Sequence, residues 1–117
     1  MPSSPEPRRD FPVPVRVEIT LPDGAIRSEY AVNISPGGLC LHVADLLPTQ
    51  VDLAVRFELP PEASPVRVSA HVVWTSWHEG TEESERFWET GLRFAGLDPA
   101  ASQHIHDYAS HPKNRRR

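Results

Sequence analysis

Apolar and polar residues alternate along most of this chain with a period of two, a pattern typical of β-strands that bury one face. The clearest run lies between Val51 and Leu59, where every second side chain is apolar. Proline, aspartate and glycine at positions 22–24 favour a tight turn between two such runs. The pattern predicts six strands: Val13–Thr20, Ala25–Asn33, Gly38–Val43, Val51–Leu59, Val66–Trp74 and Phe87–Phe94.

The end of the chain has a helical pattern instead. Asp98 is suited to cap a helix and Pro99 fits the first helical position. The helix is predicted to end near Ser110, with three side chains on its packing face: Ala101, Ile105 and Tyr108. Six short strands and a terminal helix indicate an all-β domain, either a small antiparallel barrel or a sandwich, whose helix covers an open end or an edge.

Composition narrows the function classes. The 117 residues correspond to one domain, and the net charge of −4 argues against a general DNA or RNA binder, which needs a basic face. A small anionic ligand held by a few arginines remains compatible with this charge. The lone Cys40 cannot form an internal disulfide, and neither a signal sequence nor a membrane-spanning run is visible. We therefore expect a cytoplasmic protein without membrane insertion.

Two local features stand outside the strand pattern. One is the arginine pair Arg8 and Arg9 before the first strand, and guanidinium groups pair with phosphates and stack on purines. The other is the predicted loop between the second and third strands. That loop offers an amide, a hydroxyl and two glycines that let the backbone approach a ligand closely: Asn33, Ser35, Gly37 and Gly38.

With these features the sequence resembles the PilZ domain family. That family has Arg-x-x-x-Arg before its first strand and Asp/Asn-x-Ser-x-x-Gly in a later inter-strand loop, which is complete here. Three further segments resemble family strands: Leu39–Val43, Val72–Trp74 and Gly91–Phe94. The resemblance implies a six-stranded antiparallel β-barrel with a C-terminal α-helix over residues 8–111. A disordered arm at 1–7 and a basic disordered tail at 112–117 are expected to flank it.

The arginine motif is incomplete. Counted from Arg8, its second arginine falls on Pro12, and counted from Arg9 it falls on Val13. The next arginine, Arg16, lies inside the first strand, displaced by about 10 Å along an extended chain. This departure leaves two interpretations of the family resemblance open.

The first interpretation is a stand-alone receptor that binds cyclic di-GMP and passes the signal to a protein effector. The resemblance places the nucleotide on Arg8, Arg9, Asn33, Ser35, Gly37 and Gly38. The second is a degenerate adaptor that has lost the nucleotide and acts through protein contacts, with a homodimer as one possibility. Neither interpretation requires a cofactor, DNA or catalysis.

Metal binding and catalysis have little support in the sequence. The six histidines show no convincing ligand spacing, and no second cysteine completes a zinc site. The polar residues lack a nucleophile elbow, a triad spacing or a phosphate loop. Three tryptophans are interpreted as core and rim residues rather than as a stacking platform: Trp74, Trp77 and Trp88.

Overall fold

The computed structural model describes residues 11–60, 65–82 and 85–114. Its elements are β1 (Val15–Thr20), β2 (Ile26–Ser35), β3 (Gly38–Val43), β4 (Leu53–Phe57), β5 (Val66–His78), β6 (Phe87–Ala95), α1 (Pro99–Ser110) and a 3-10 turn (Pro112–Asn114). This confirms the all-β class with six strands and a C-terminal helix. The first three residues of the predicted tail, Pro112–Asn114, form this turn. The predicted arm at 1–7, the pair Arg8 and Arg9, and residues 115–117 lie outside the described residues.

The six strands close into a barrel in the order β1-β2-β3-β6-β5-β4, and every neighbouring pair is antiparallel. Closure decides between the two predicted architectures, because a sandwich would leave sheet edges that the barrel pairs. The order also places β3 beside β6, two strands far apart in the sequence. The turn after β2 therefore lies close to the last residues of β6.

The period-two pattern describes the barrel interior well. In β1, the inward-facing Val17 and Ile19 are fully buried, while Arg16, which precedes Val17, faces outward and is exposed. In β4, inward residues alternate with outward ones in the same way. Side chains from all six strands form one apolar core, which Leu47 and Ile105 join from outside the sheet. Burial of this apolar surface is the main stabilising contribution to such a fold.

Helix α1 begins as the sequence predicts. The Asp98 carboxylate accepts a hydrogen bond from the backbone N–H of Ala101 at 3.0 Å, and Pro99 occupies the first turn. Ile105 is fully buried, and α1 packs against β2. Tyr108 meets Phe11 edge-on with ring centroids 5.4 Å apart, and burial raises the pKa of its hydroxyl. The helix thus anchors the segment that leads into β1. Within the described ranges, no helix has the length and apolarity needed to cross a bilayer.

Two irregularities interrupt the regular alternation. The β2–β3 register shifts between Ala31 and Asn33, and the β5–β6 register shifts between Val72 and Trp74. A β-bulge inserts one residue into a strand and so changes which side chains face the core. Uninterrupted alternation from Val66 would turn the side chain of residue 74 inward, but the bulge turns Trp74 to the outer surface, where it is 40% exposed.

The predicted loop Asn33–Gly38 is much shorter than expected. β2 continues to Ser35, which pairs directly with Gly38, so only Pro36 and Gly37 form the turn. The backbone of β3 then passes very close to β6. A Cβ atom added at Gly38 would lie 1.9 Å from the carbonyl oxygen of Leu92, whereas one added at Gly37 would meet nothing closer than 3.9 Å. The close approach of two strands therefore requires glycine at position 38 but not at position 37.

This contrast predicts different effects of two neighbouring substitutions. Gly38→Ala is expected to lower the free energy of unfolding by about 2 kcal/mol or more, because backbone atoms of β6 must move to admit the methyl group. Gly37→Ala is expected to change it by no more than about 0.5 kcal/mol. Urea unfolding followed by circular dichroism compares the two, and equal stabilities would contradict the steric role assigned to Gly38.

Candidate functional site

One row of residues crosses the outer face of four strands. Asn33 of β2 pairs with Cys40 of β3, Cys40 pairs with Gly91 of β6, and Gly91 pairs with Trp74 of β5. The row faces outward because its neighbours along the strands, such as Leu39 and Leu41, point into the core. Three inter-strand spacings separate its ends, or about 14 Å. We call this set the Asn33–Trp74 row.

The middle of the row is a glycine that makes room for an indole. A Cβ atom at Gly91 would lie 2.2 Å from Nε1 of Trp74 and 2.3 Å from its Cε2. The Trp74 ring of β5 therefore lies directly against the backbone of the neighbouring strand β6 at Gly91. A glycine on the strand beside an aromatic residue fixes the position of the ring and leaves part of its surface exposed.

A second row lies beside the first. Ser35 pairs with Gly38, Gly38 with Arg93, and Arg93 with His71. The Ser35 hydroxyl donates to the carbonyl oxygen of Gly38 at 3.4 Å. Arg93 is exposed, and within residues 11–60, 65–82 and 85–114 no acidic side chain forms an ion pair with it. The second row thus adds a cationic group to the same surface.

The two rows line one open cleft of about 320 Å³. The cleft contains four of the residues predicted from the sequence: Asn33, Ser35, Gly37 and Gly38. It also contains Trp74 and Arg93, which the sequence analysis did not assign to a site. Gly38 has a structural explanation in the close approach to β6, so its presence alone is no sign of ligand contact.

The segment before β1 passes beside this cleft. The backbone N–H of Phe11 donates to the carbonyl oxygen of Val32, the residue before Asn33, at 2.6 Å. Pro12 and Val13, where the second arginine of the family motif would fall, line a different groove of about 620 Å³ against α1. Arg8 and Arg9 lie outside the described residues, so their predicted contacts are not part of this geometry.

An aromatic and acidic cluster adjoins the cleft on the same outer face. Phe87 stacks on His42 and on His78, with centroid distances of 4.1 and 4.8 Å. The Glu89 carboxylate lies 3.5 Å from Nε2 of His42 and 3.6 Å from Nε2 of His78. No sequence pattern indicates this cluster, because it depends on β6 lying between β3 and β5. In the described part of the chain, no group of three potential ligands is arranged to hold a metal ion.

The cleft combines groups that suit a flat, hydrogen-bonding and anionic ligand. An exposed indole face stacks on aromatic rings, an amide and a hydroxyl provide directed hydrogen bonds, and a guanidinium pairs with phosphate. Sequence analysis missed Trp74 because the β5 bulge leaves no mark on the alternation of Val66–Trp74. It missed Arg93 because only the β3–β6 pairing brings this residue to Gly38.

Comparisons with known proteins agree with this fold. A family model described as PilZ domain matches residues 5–111. The PilZ domain of YcgR from Escherichia coli, solved with c-di-GMP, superposes with a TM-score of 0.66 at 15% identity, covering 82% of this chain and 80% of that one. The inhibitor of motility MotI/DgrA of Bacillus subtilis gives a TM-score of 0.65 at 21% identity, covering 88% of this chain and 49% of that one.

Apo MrkH of K. pneumonia gives a TM-score of 0.69 at 16% identity, covering 90% of this chain and 49% of that one. The chain therefore spans about half the length of the MotI/DgrA and MrkH chains, and most of the YcgR domain. At these identities the superpositions establish the fold alone. A search of curated proteins found no match to this sequence.

Proposed function

This chain belongs to the PilZ domain family, and from that premise we propose that it is a signalling protein that binds cyclic di-GMP in the cleft on the Asn33–Trp74 row. Domains of this family bind the nucleotide or act as adaptors on partner proteins, and they are not known as enzymes. The observation that supports the proposal is the convergence of Asn33, Ser35, Trp74 and Arg93 on one outer surface. A cytoplasmic location and a protein effector belong to the same proposal.

The ligand chemistry matches the cleft group by group. Cyclic di-GMP carries two guanines and two phosphates on one ring. The exposed face of Trp74 can stack on one guanine, because every base offers a flat surface of this kind. The Asn33 amide oxygen can accept from a guanine N–H, and the Arg93 guanidinium can pair with a phosphate.

The arginine pair is within reach of this cleft by chain length. Arg9 precedes Phe11 by two residues, and two extended residues span at most about 7 Å. Because Phe11 is held at Val32, beside Asn33, an arm carrying Arg8 and Arg9 can fold over the bound nucleotide. Such folding changes the surface that a partner protein meets, and this change converts binding into a signal.

The second candidate is an adaptor that has lost the nucleotide. It is favoured by the positions of Pro12 and Val13, which are not basic and line the groove against α1. Arg93 partly offsets that loss in the receptor proposal, because it supplies a cation from β6 instead of from the arm. Isothermal titration calorimetry with cyclic di-GMP separates the two candidates: measurable heats support the receptor, and their absence at high ligand concentration supports the adaptor.

Trp74→Ala is expected to weaken cyclic di-GMP binding roughly 5- to 150-fold, since base–aromatic stacking contributes about 1–3 kcal/mol per base. Trp77→Ala is the matched control: its side chain is 39% exposed on the same strand, against 40% for Trp74, but it lies outside the cleft. Calorimetry compares the two variants after circular dichroism has shown that both are folded. Equal losses of affinity would remove Trp74 from the proposed site.

Arg93→Ala is expected to weaken binding roughly 10- to 150-fold, because a charge-assisted hydrogen bond contributes about 1.5–3 kcal/mol. The control is Arg67→Ala, another exposed arginine, which lies on the wall formed by β1, β4 and β5. Calorimetry at two salt concentrations adds a second readout, since loss of a phosphate contact lowers the salt dependence of binding. An unchanged affinity for the Arg93 variant would exclude it from phosphate binding.

A further inference from the structure

The far end of β5 extends beyond the barrel wall. β4 pairs with β5 from Val66 to Ala70 and no further, whereas β6 continues to pair with it as far as His78. Within residues 11–60, 65–82 and 85–114, this last part of β5 has a strand neighbour on one side only. We call Val73–His78 the β5 edge. A strand edge presents backbone groups on which another strand can pair.

The side chains of the β5 edge are unusual for such a position. All six residues are exposed, and none of them is Lys, Arg, Asp, Glu, Pro or Gly. Three of the exposed large apolar side chains of the described surface lie here, namely Val73 at 44%, Trp74 at 40% and Trp77 at 39%. β-branched and aromatic residues favour strand pairing, and charges or prolines are the usual protection against it.

The first half of β2 provides a contrast within the same barrel. β3 pairs with β2 only from Tyr30 onwards, so Ile26–Glu29 also has one strand neighbour. This stretch carries two charged residues, and Arg27 donates to the carbonyl oxygens of Asp45 at 2.8 Å and Leu46 at 3.3 Å. Through these hydrogen bonds, the Arg27 side chain holds the segment after β3 against this edge of β2. None of the six residues of the β5 edge is Lys, Arg, Asp or Glu, and the neighbouring charge is the carboxylate of Glu79 just beyond its end, which accepts a hydrogen bond from the indole N–H of Trp77.

We propose that the β5 edge is a self-association surface on which two copies of this chain pair their β5 strands antiparallel. The chain has a net charge of −4, so two copies repel each other at long range. An uncharged segment avoids this repulsion, and identical strands related by a two-fold axis form an antiparallel ladder in which each contact occurs twice. Thr75 and Trp77 lie on the same face of the strand, and a cross-strand pair between them adds apolar contact.

The geometry sets the stoichiometry and the strength. The described residues present one uncharged edge of this kind, so pairing at that edge closes the assembly at two copies. Six residues per strand give roughly six backbone hydrogen bonds. Six residues per strand are far fewer than the roughly 20–30 residues a side of a standard stable interface. The dimer is therefore expected to be weak, with a Kd on the order of 10–100 µM.

Sedimentation velocity on the full chain tests the proposal directly. Between about 5 and about 500 µM, the wild-type sedimentation coefficient is expected to rise from that of a monomer to that of a dimer and no further. Thr75→Lys is expected to raise the Kd at least about tenfold, because residue 75 lies near the middle of the edge and two lysines then meet opposite or diagonally across the axis. Circular dichroism checks that the variant is folded.

Ala54→Lys is the matched control. Ala54 is exposed on β4 and paired on both sides, with Thr20 and with Ser69. The same added charge there is expected to leave the Kd within about twofold of the wild type, since Ala54 lies away from the edge. A loss of dimer in both variants would show that net charge, and not the β5 edge, governs the association, and would overturn the proposal.

A charge-swap experiment makes the assignment specific. Thr75→Lys and Thr75→Glu are each expected to sediment as monomers, whereas their equimolar mixture is expected to recover the dimer because opposite charges then face each other. This test does not depend on cyclic di-GMP, so its outcome is separate from that of the proposed function. A wild-type protein that stays monomeric at every concentration would overturn the proposal. The partner of the β5 edge would then be a strand of a different protein.

Discussion

The close contact between β3 and β6 is the constraint on which the rest of this structure depends. These strands are distant in the sequence, and their pairing closes the sheet into a barrel. Their backbones approach so closely at Gly38 and Leu92 that no Cβ atom fits between them. The same pairing places Arg93 beside the turn after β2 and brings Gly91 beside Cys40. Closure of the core and assembly of the cleft are thus consequences of one strand pair.

The two bulges then determine what the outer face carries. A regular strand would turn Trp74 into the barrel, where an indole of that size would compete with the packed core. The bulge after Val72 turns it outward instead, and Gly91 gives it a place to lie. The bulge in β2 similarly lets Asn33 face outward while Ala31 and Ile34 remain buried. Small departures from regular pairing therefore place polar and aromatic side chains on the outer face of a barrel whose core is apolar.

β5 serves two different purposes along its length. Its first half, Val66–Ala70, is paired on both sides and contributes to the core. Its last six residues, the β5 edge, are exposed, and two of them, Val73 and Trp74, also line the cleft. Nucleotide binding and self-association, as we propose them, would use overlapping parts of one strand. Occupation of the cleft and pairing at the edge are then two events that can be measured separately.

The sequence by itself determined the local structure. Six strands, the inward faces of β1 and β4, and the helix that begins at Asp98 follow from alternation and from capping chemistry, which depend on neighbours along the chain. The motif at Asn33, Ser35 and Gly38 likewise identified the family. The ends of the strands were predicted less accurately than their positions, since β2 was predicted to end at Asn33 but continues to Ser35.

Alternation alone left barrel and sandwich open, the family resemblance predicted the barrel, and the tertiary structure confirmed it. Only the tertiary structure placed Trp74 and Arg93 beside Asn33. The reason is physical: alternation indicates which side of a strand is apolar, but not which strand lies next to it. A bulge is fixed by the partner strand, so the inserted residue has no distinct pattern in the sequence. The arrangement of the cleft and the exposure of the β5 edge both depend on those long-range pairings.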